Sequence, residues 1–268
     1  MSDHAEPAGE NPTKKKLASL LADARGNHTQ VDAAPFNAFP SLESAYQVQA
    51  LATEAYPSRQ IGYKIGATNE GVQKLFDCNE PFYGPLFEKE QLQPGASFPL
   101  TTGVLGGEAE FAFICGSDFP TDRELSTEDL PQLIESCHIA VEIVGRRTAG
   151  TGLPGLHSAV ADFGVHVAFI PGIAIGNWRS IDLAAIEVTA SINGTETNSG
   201  TGAAVLGHPL NSLLWLHNAL RSARGDLKSG LKAGDWVSTG TCLGVIAPTA
   251  GTVEIEFRGC GTIGYTFK

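Results

Sequence analysis

Apolar residues in the first sixty positions recur with the period of an α-helix. They fall every three or four positions between residues 14 and 25, which predicts a helix there. A second helix is predicted to begin after Pro40-Ser41, where the serine can cap the first turn, and to end before Pro57. Residues 1–13 lack an apolar period and are rich in proline, glycine, asparagine and charge, so we expect a disordered tail.

From residue 60 onwards, short apolar runs bounded by glycine indicate β-strands. The predicted strands cover residues 61–66, 108–115, 139–144, 164–170 and 186–192. The last of them ends at Asn193-Gly194, a dipeptide that favours a tight hairpin turn. Helices are predicted over residues 69–76, 131–136 and 208–221. The β-branched segment after Leu231 is interrupted repeatedly by glycine, which favours a closed or rolled sheet.

These elements predict an α+β fold in which strands outnumber helices after residue 100. The chain is divided into a disordered tail (1–13), an N-terminal α/β portion (14–100) and a β-rich domain expected to carry the chemistry (101–268). A length of 268 residues allows either one or two domains. The division therefore depends on the change of pattern alone.

The charge balance argues against some classes of partner. The 18 lysines and arginines against 29 aspartates and glutamates give a net charge of -11, so nucleic acid is not an expected partner. No apolar run reaches the roughly 18 residues that span a bilayer, and the polar N terminus lacks the apolar region of a secretory signal. A cytoplasmic protein without a membrane partner is expected.

Cysteine and histidine give no sign of a zinc or redox site. The five cysteines are scattered without a C-x-x-C pair, and the seven histidines lack an H-x-x-x-H spacing. We expect the cysteines to be reduced and mostly buried. The segment G-T-G-L-P-G at residues 150–155 matches G-x-G-x-x-G, but a proline stands where a nucleotide-binding helix would begin. A loop is predicted there.

Three glutamates form a candidate metal site. Glu108 and Glu110 stand two residues apart on a predicted strand, so both side chains project to the same face. Glu142 lies within an apolar strand, where a buried carboxylate needs a compensating positive charge. Carboxylates without a histidine or cysteine motif favour Mg²⁺ or Mn²⁺. The alternative is that Glu108 and Glu110 occupy the wet face of a half-exposed strand.

Lys64 is a candidate acid or base, because it lies between Tyr63 and Ile65 in a predicted buried strand. Burial would lower its pKa, whereas a nearby carboxylate would raise it again. The alternative is a structural ion pair or a lysine whose stem is buried and whose charge reaches solvent. Thr239-Gly240-Thr241 offers two hydroxyls that could hold a substrate carboxylate, although a plain turn is the commoner meaning of such a tripeptide.

Several of these segments occur together, in order, over residues 60 to about 245. They are G-Y-K-I-G-A-T, E-P-F-Y-G-P-L, G-E-A-E-F-A-F, A-V-E-I-V, V-A-D, S-G-T-G-A-A-V-L-G-H-P-L and L-K-A-G-D-W-V-S-T-G. Each segment alone is a weak signal. As a set they resemble the 2-keto-4-pentenoate hydratase family, within the fumarylacetoacetate hydrolase superfamily.

The resemblance implies a mixed β-roll and a divalent ion, Mg²⁺ or Mn²⁺, bound by the matching acids Glu108, Glu110 and Glu142, with Lys64 as the proton carrier. It implies a small 2-oxo acid substrate that would chelate the ion through its 2-oxo and carboxylate oxygens. The activity implied is a hydro-lyase that adds water to a 2-hydroxy-2,4-dienoate and gives a 4-hydroxy-2-oxo acid. Substrate contacts are expected at Phe82, Asp162, Phe163, Thr239 and Thr241. A homo-oligomer is also expected, and it could associate with a decarboxylase of the same pathway.

The chain departs from the family pattern at three places. Phe82 stands where many relatives have aspartate, Phe163-Gly164 where hydratases often continue with asparagine, and Gly145-Arg146 where they often have Asp-Ser. Two alternatives therefore stay open beside the hydratase. One is a decarboxylase of a 2-oxo-3-enedioate such as 4-oxalocrotonate, and the other is a non-catalytic partner subunit of a related enzyme.

Overall fold

The structure is a computed structural model, and it describes residues 12–223 and 225–268. Most of the predicted tail, residues 1–11, lies outside the described residues. Its last two positions, Pro12 and Thr13, are instead the first residues of a helix. Proline is favoured in the first turn of a helix because the amide hydrogen that it lacks has no partner there.

The described residues form seven α-helices and eleven β-strands. The helices are α1 (Pro12–Asn27), α2 (Ala34–Asn37), α3 (Leu42–Ala55), α4 (Glu70–Phe76), α5 (Leu130–Leu133), α6 (Leu156–Ala161) and α7 (Pro209–Ser222). The strands are β1 (Gln60–Gly66), β2 (Phe82–Phe87), β3 (Ser97–Phe98), β4 (Val104–Cys115), β5 (Ile134–Gly145), β6 (His166–Ala174), β7 (Glu187–Ile192), β8 (Thr195–Thr201), β9 (Trp236–Ile246), β10 (Gly251–Phe257) and β11 (Gly261–Phe267). In this part of the chain, no helix combines the length and the apolar character needed to cross a bilayer.

Two sheets organise the fold. The six-stranded sheet has the order β2-β1-β9-β4-β5-β6, and the five-stranded sheet has the order β3-β11-β10-β7-β8. Within the first sheet β1 runs parallel to β9, and the other neighbours are antiparallel. Strands β1 and β2 belong to the predicted N-terminal portion. They share one sheet with strands of the predicted β-rich domain, so a division at residue 100 cuts through this sheet.

Two hydrophobic clusters hold these layers together. The larger one joins the two sheets, as the ring contact of Phe111 on β4 with Phe257 on β10 shows, with a centroid distance of 5.2 Å. The second packs α1, α3 and α6 against β2 through buried residues such as Leu21 and Phe87. Each fully buried side chain of this size contributes about 1.5–3 kcal/mol. The helices are thus packed directly behind one end of the six-stranded sheet.

The structure corrects two of the predicted elements. The predicted helix 131–136 ends at Leu133, because Ile134 already pairs with Cys115 in the sheet. The predicted strand 164–170 starts only at His166, because residues 163–165 form a turn with positive φ angles of 53°, 63° and 57°. The hairpin prediction is confirmed, since Asn193 and Gly194 connect β7 to β8, both with positive φ.

Candidate metal centre and active site

The pairing of β4 with β5 brings three carboxylates together. Glu108 and Glu110 project from the same face of β4, and Glu108 is the register partner of Glu142 on β5. One oxygen from each of the three side chains lies within 4.8 Å of the other two. Glu110 and Glu142 are fully buried and Glu108 is half-buried. The sequence spacing thus becomes a compact oxygen cluster inside the sheet.

Burial makes this cluster electrostatically costly. It raises the pKa of Glu108 and of Glu110 to about 8, against the opposing effect of Lys64, and raises the pKa of Glu142 to about 6. Within the described residues, Glu110 Oε1 and Glu142 Oε2 are buried without a hydrogen-bond partner. Buried carboxylate oxygens without partners are costly unless a positive charge meets them. The donor set therefore fits a hard divalent cation such as Mg²⁺ or Mn²⁺.

The second oxygen of Glu110 is held by β9. Glu110 Oε2 accepts hydrogen bonds from the hydroxyl of Ser238 and from the Gly240 amide, the latter at 3.0 Å. Gly240 has a φ of 106°, and a Cβ there would lie 2.2 Å from Thr68 Oγ1, so only glycine fits this position. Ser238 and Gly240 thus fix one Glu110 oxygen and leave the other directed at the cluster.

Lys64 is buried beside the same cluster. It lies on β1, its register partner on β9 is Ser238, and its side chain is 2% exposed. Its Nζ lies 3.2 Å from Glu142 Oε1 and donates a hydrogen bond to the Gly164 carbonyl at 3.1 Å. Burial alone would lower its pKa, but the charges of the three glutamates raise it above the ordinary value. Lys64 is therefore a protonated ammonium in this arrangement.

His166 also contacts Glu142. Its Nδ1 lies 3.0 Å from Glu142 Oε1, the same oxygen that Lys64 approaches. Burial and the nearby charges of Arg25 and Lys64 hold its pKa well below the usual range, so the ring is neutral. Arg25 Nη1 and Arg147 Nη1 donate to the His166 backbone carbonyl at 2.7 and 2.9 Å. Two guanidinium groups thus fix the backbone of this residue.

The predicted substrate contacts occupy different surroundings. The Phe82 ring lies 5.8 Å from Lys64 Nζ, next to the cluster. The Phe163 ring is fully buried against Tyr56 and Phe87, and only the backbone of the adjoining Gly164 reaches Lys64. A direct substrate contact of the Phe163 ring has no support in this packing.

The polar members of the predicted contact set make bonds within the protein. Asp162 is buried and paired with Arg147, whose side chain and backbone amide both donate to its carboxylate. Thr239 Oγ1 donates to the Phe111 carbonyl and Thr241 Oγ1 to the Gly244 carbonyl, both at 2.8 Å. These bonds give the side chains a clear structural role. Their contact with substrate stays a prediction.

Two relatives match the chain over most of its length. The TodF product hydratase of Pseudomonas putida is 31% identical over 260 residues, which cover 94% of each chain. The 2-keto-4-pentenoate hydratase of Paraburkholderia xenovorans is 30% identical over 239 residues, which cover 86% of each chain. The chain belongs to the 2-keto-4-pentenoate hydratase family. No protein-family profile matches it.

A solved structure extends the comparison to the fold of this family member. The 4-oxalocrotonate decarboxylase from Pseudomonas putida G7, complexed with magnesium and adipate, superposes with a TM-score of 0.85. The match covers 97% of this chain and 99% of that chain at 23% identity, so it shows the fold alone. The fold class implied by the sequence resemblance is confirmed.

Sequence reasoning missed three residues that support the cluster of this family member. Ser238 stands two positions before the glycine that binds the same oxygen, so the V-S-T-G segment carries a usable signal. His166 opens a strand that the apolar pattern starts too early, which hides the direction of its side chain. Arg25 acts through a backbone carbonyl 141 positions away, and no local pattern announces such a contact.

Proposed function

We propose that this family member is a divalent-cation-dependent hydratase. Its substrate would be a 2-hydroxy-2,4-dienoate, the enol form of a 2-oxo-4-enoate, and its product a 4-hydroxy-2-oxo acid. The observation that carries the proposal is the cluster of Glu108, Glu110 and Glu142 with the Lys64 ammonium 3.2 Å from one of its oxygens. The names of the two hydratase relatives support the same reaction class.

Glu108, Glu110 and Glu142 would hold the cation, each through a carboxylate oxygen. When bound, a Mg²⁺ or Mn²⁺ ion supplies Lewis acidity, which stabilises negative charge on the 2-oxo oxygen of the substrate. Two of the three carboxylates orient their ligand oxygens because their other oxygens are occupied. Ser238 and Gly240 bind Glu110, and Lys64 binds Glu142.

Lys64 would carry the proton between enol and ketone forms. Its ammonium gives a proton to the terminal carbon of the dienol, which produces the conjugated 2-oxo-3-enoate. Conjugation makes carbon 4 of that compound electrophilic, so the water oxygen adds there and a proton is added at carbon 3. Charge compensation of the glutamates would also lower the pKa of Lys64 towards a range that suits proton transfer.

Phe82 would give the site an apolar wall. Its ring packs edge-on against Phe76, with a centroid distance of 5.2 Å, and lies near the Lys64 ammonium. Such a wall contributes no polar contact to substrate or water. We propose that it contacts the tail of the substrate and favours an apolar tail over the unsubstituted pentadienoate.

Decarboxylation of a 2-oxo-3-enedioate is the second candidate. Loss of CO₂ from such a substrate also produces an enolate, so the same charged groups would serve it. The observation in its favour is the fold shared over nearly the whole chain with 4-oxalocrotonate decarboxylase. A non-catalytic partner subunit is less favoured, because Lys64 and the three glutamates are all present. The homo-oligomer and an association with a decarboxylase stay predictions.

A two-substrate assay tests the proposal. Purified protein with Mg²⁺ or Mn²⁺ is incubated with 2-hydroxypenta-2,4-dienoate and an apolar-tailed homologue, and separately with 4-oxalocrotonate. Loss of dienol absorbance with formation of a 4-hydroxy-2-oxo acid, identified by NMR, is expected. Release of CO₂ from 4-oxalocrotonate without hydration would favour the second candidate. Glu256→Gln, an exposed change on β10, serves as the matched control for Glu110→Gln, which is expected to be inactive.

A further inference from the structure

We infer that His166 is a positioning residue that fixes the Glu142 carboxylate, with one oxygen turned to Lys64 and the other left for the cation. The inference rests on the proposed cation site and adds a residue to it. His166 does not reach substrate or cation through its ring in this role. It acts through Glu142.

The two oxygens of Glu142 have different surroundings. Oε1 meets two groups, the Lys64 ammonium at 3.2 Å and His166 Nδ1 at 3.0 Å. Oε2 is buried and has no hydrogen-bond partner in the described ranges. An ionised carboxylate only accepts hydrogen bonds, so Nδ1 must carry the hydrogen and donate it. With both donors on one side, the carboxylate cannot rotate without losing a hydrogen bond.

The position of His166 is itself strongly determined. Its carbonyl accepts from Arg25 and from Arg147, which reach it from α1 and from the end of β5. The centres of both guanidinium groups also lie close to the Phe163 ring centroid, at 4.9 and 5.4 Å. The ring nitrogen Nε2 is buried and makes no hydrogen bond to any described residue. The bond to Glu142 is therefore the single polar contact of this side chain there.

The turn before His166 serves the same purpose. Phe163, Gly164 and Val165 all have positive φ, a conformation that is strained for phenylalanine and above all for the β-branched valine. The strained turn directs the Gly164 carbonyl at Lys64 Nζ and is followed at once by the imidazole that binds Glu142. Strain of this kind persists only where the surroundings impose it, and it is found preferentially at functional sites.

Loss of a residue that orients a metal ligand typically weakens metal binding or activity by about 10- to 100-fold. His166→Leu removes the donor and keeps an apolar side chain of moderate size. His166→Asn keeps an amide donor at the place of Nδ1, whereas His166→Gln moves the amide towards the place of Nε2. We therefore expect Mn²⁺ affinity to fall by about 10- to 100-fold in His166→Leu and to stay within about threefold of the parent in His166→Asn.

The experiment measures the dissociation constant of Mn²⁺ from the full chain, by EPR of the free ion, without substrate. Folding of each variant is checked by circular dichroism. His217→Leu is the matched control, since His217 is another buried histidine and neither of its ring nitrogens has a partner in the described structure. Glu110→Gln reports on the proposed site itself.

The outcomes separate the two claims. If Glu110→Gln binds Mn²⁺ as the parent does, the proposed cation site is wrong and the inference falls with it. If Glu110→Gln loses binding while His166→Leu retains it, the inference alone is overturned. Equal losses in His166→Leu and His166→Asn would also overturn it. If His166→Leu does not fold, the comparison of His166→Asn with His166→Gln decides, and equal affinities contradict the role of the Nδ1 donor.

Discussion

Replacing Glu110 by glutamine should stabilise the cation-free protein and abolish its response to cations. Glutamine has the same shape, and its carbonyl oxygen can still accept from Ser238 and Gly240. Its amide group would take the place of Oε1, which has no partner in the described part of the chain. There it can donate to the acidic cluster. The substitution therefore removes one charge and keeps the packing.

The size of the effect follows from the pKa of Glu110, which burial raises from 4.5 to about 8. Between these values the folded protein retains a proton that the unfolded chain releases, so the unfolding free energy of the parent falls as pH rises. At pH 7.5 the difference of three pH units, at about 1.4 kcal/mol each, sets an upper limit of about 4 kcal/mol on the gain in Glu110→Gln. At pH 5 the gain should be under about 1 kcal/mol.

Urea denaturation in EDTA at pH 5 and pH 7.5 measures these differences. We expect Glu110→Gln to be more stable than the parent by at least about 1 kcal/mol at pH 7.5. With Mn²⁺ at 100 times its dissociation constant, the parent alone should gain about 2.7 kcal/mol. The exposed Glu256→Gln should match the parent throughout. A Glu110→Gln protein no more stable than the parent in EDTA at pH 7.5 would refute the electrostatic reasoning.

Three further predictions concern catalysis. Lys64→Met should lower turnover by about 10² to 10⁴, the usual contribution of a positioned proton carrier, while Mn²⁺ affinity changes little; a folded, metal-loaded variant within about threefold of parental turnover would remove Lys64 from the mechanism. Treatment with EDTA should abolish hydration of the dienoate and added Mg²⁺ or Mn²⁺ should restore it, which a steady-state absorbance assay measures. Because Phe82 is apolar and lies beside Lys64, kcat/KM should rise along a series of increasingly apolar substrate tails, and the unsubstituted pentadienoate as the best substrate would contradict this.

The candidate cluster can be predicted because its geometry follows from strand periodicity. Side chains two positions apart share a face of a strand, so the E-x-E spacing alone places Glu108 with Glu110. Glu142 is marked by the cost of burying an acid among apolar neighbours. What the sequence cannot supply is the register of β4 against β5. That register makes Glu108 and Glu142 direct partners and so closes the cluster.

The turn at residues 163–165 escapes prediction for a different reason. Local propensity disfavours positive φ for phenylalanine and valine, so the apolar pattern G-V-H-V-A-F-I indicates a strand from its first residue. Contacts from distant segments override that preference. Asp162 is held by Arg147 immediately before the turn, and the carbonyl of His166 is held by two arginines immediately after it. Both ends of the turn are fixed by tertiary bonds.

Arg25 shows why the helical portion is part of the site rather than an addition to it. Its guanidinium is buried at the end of α1, donates to the His166 carbonyl and lies near Glu90. Burial and the nearby Arg147 lower its pKa to about 10, so it remains charged at neutral pH. A buried charge needs its partners to be in place. Correct packing of α1 is therefore energetically linked to the backbone position of His166, and through the His166 ring to the carboxylate of Glu142.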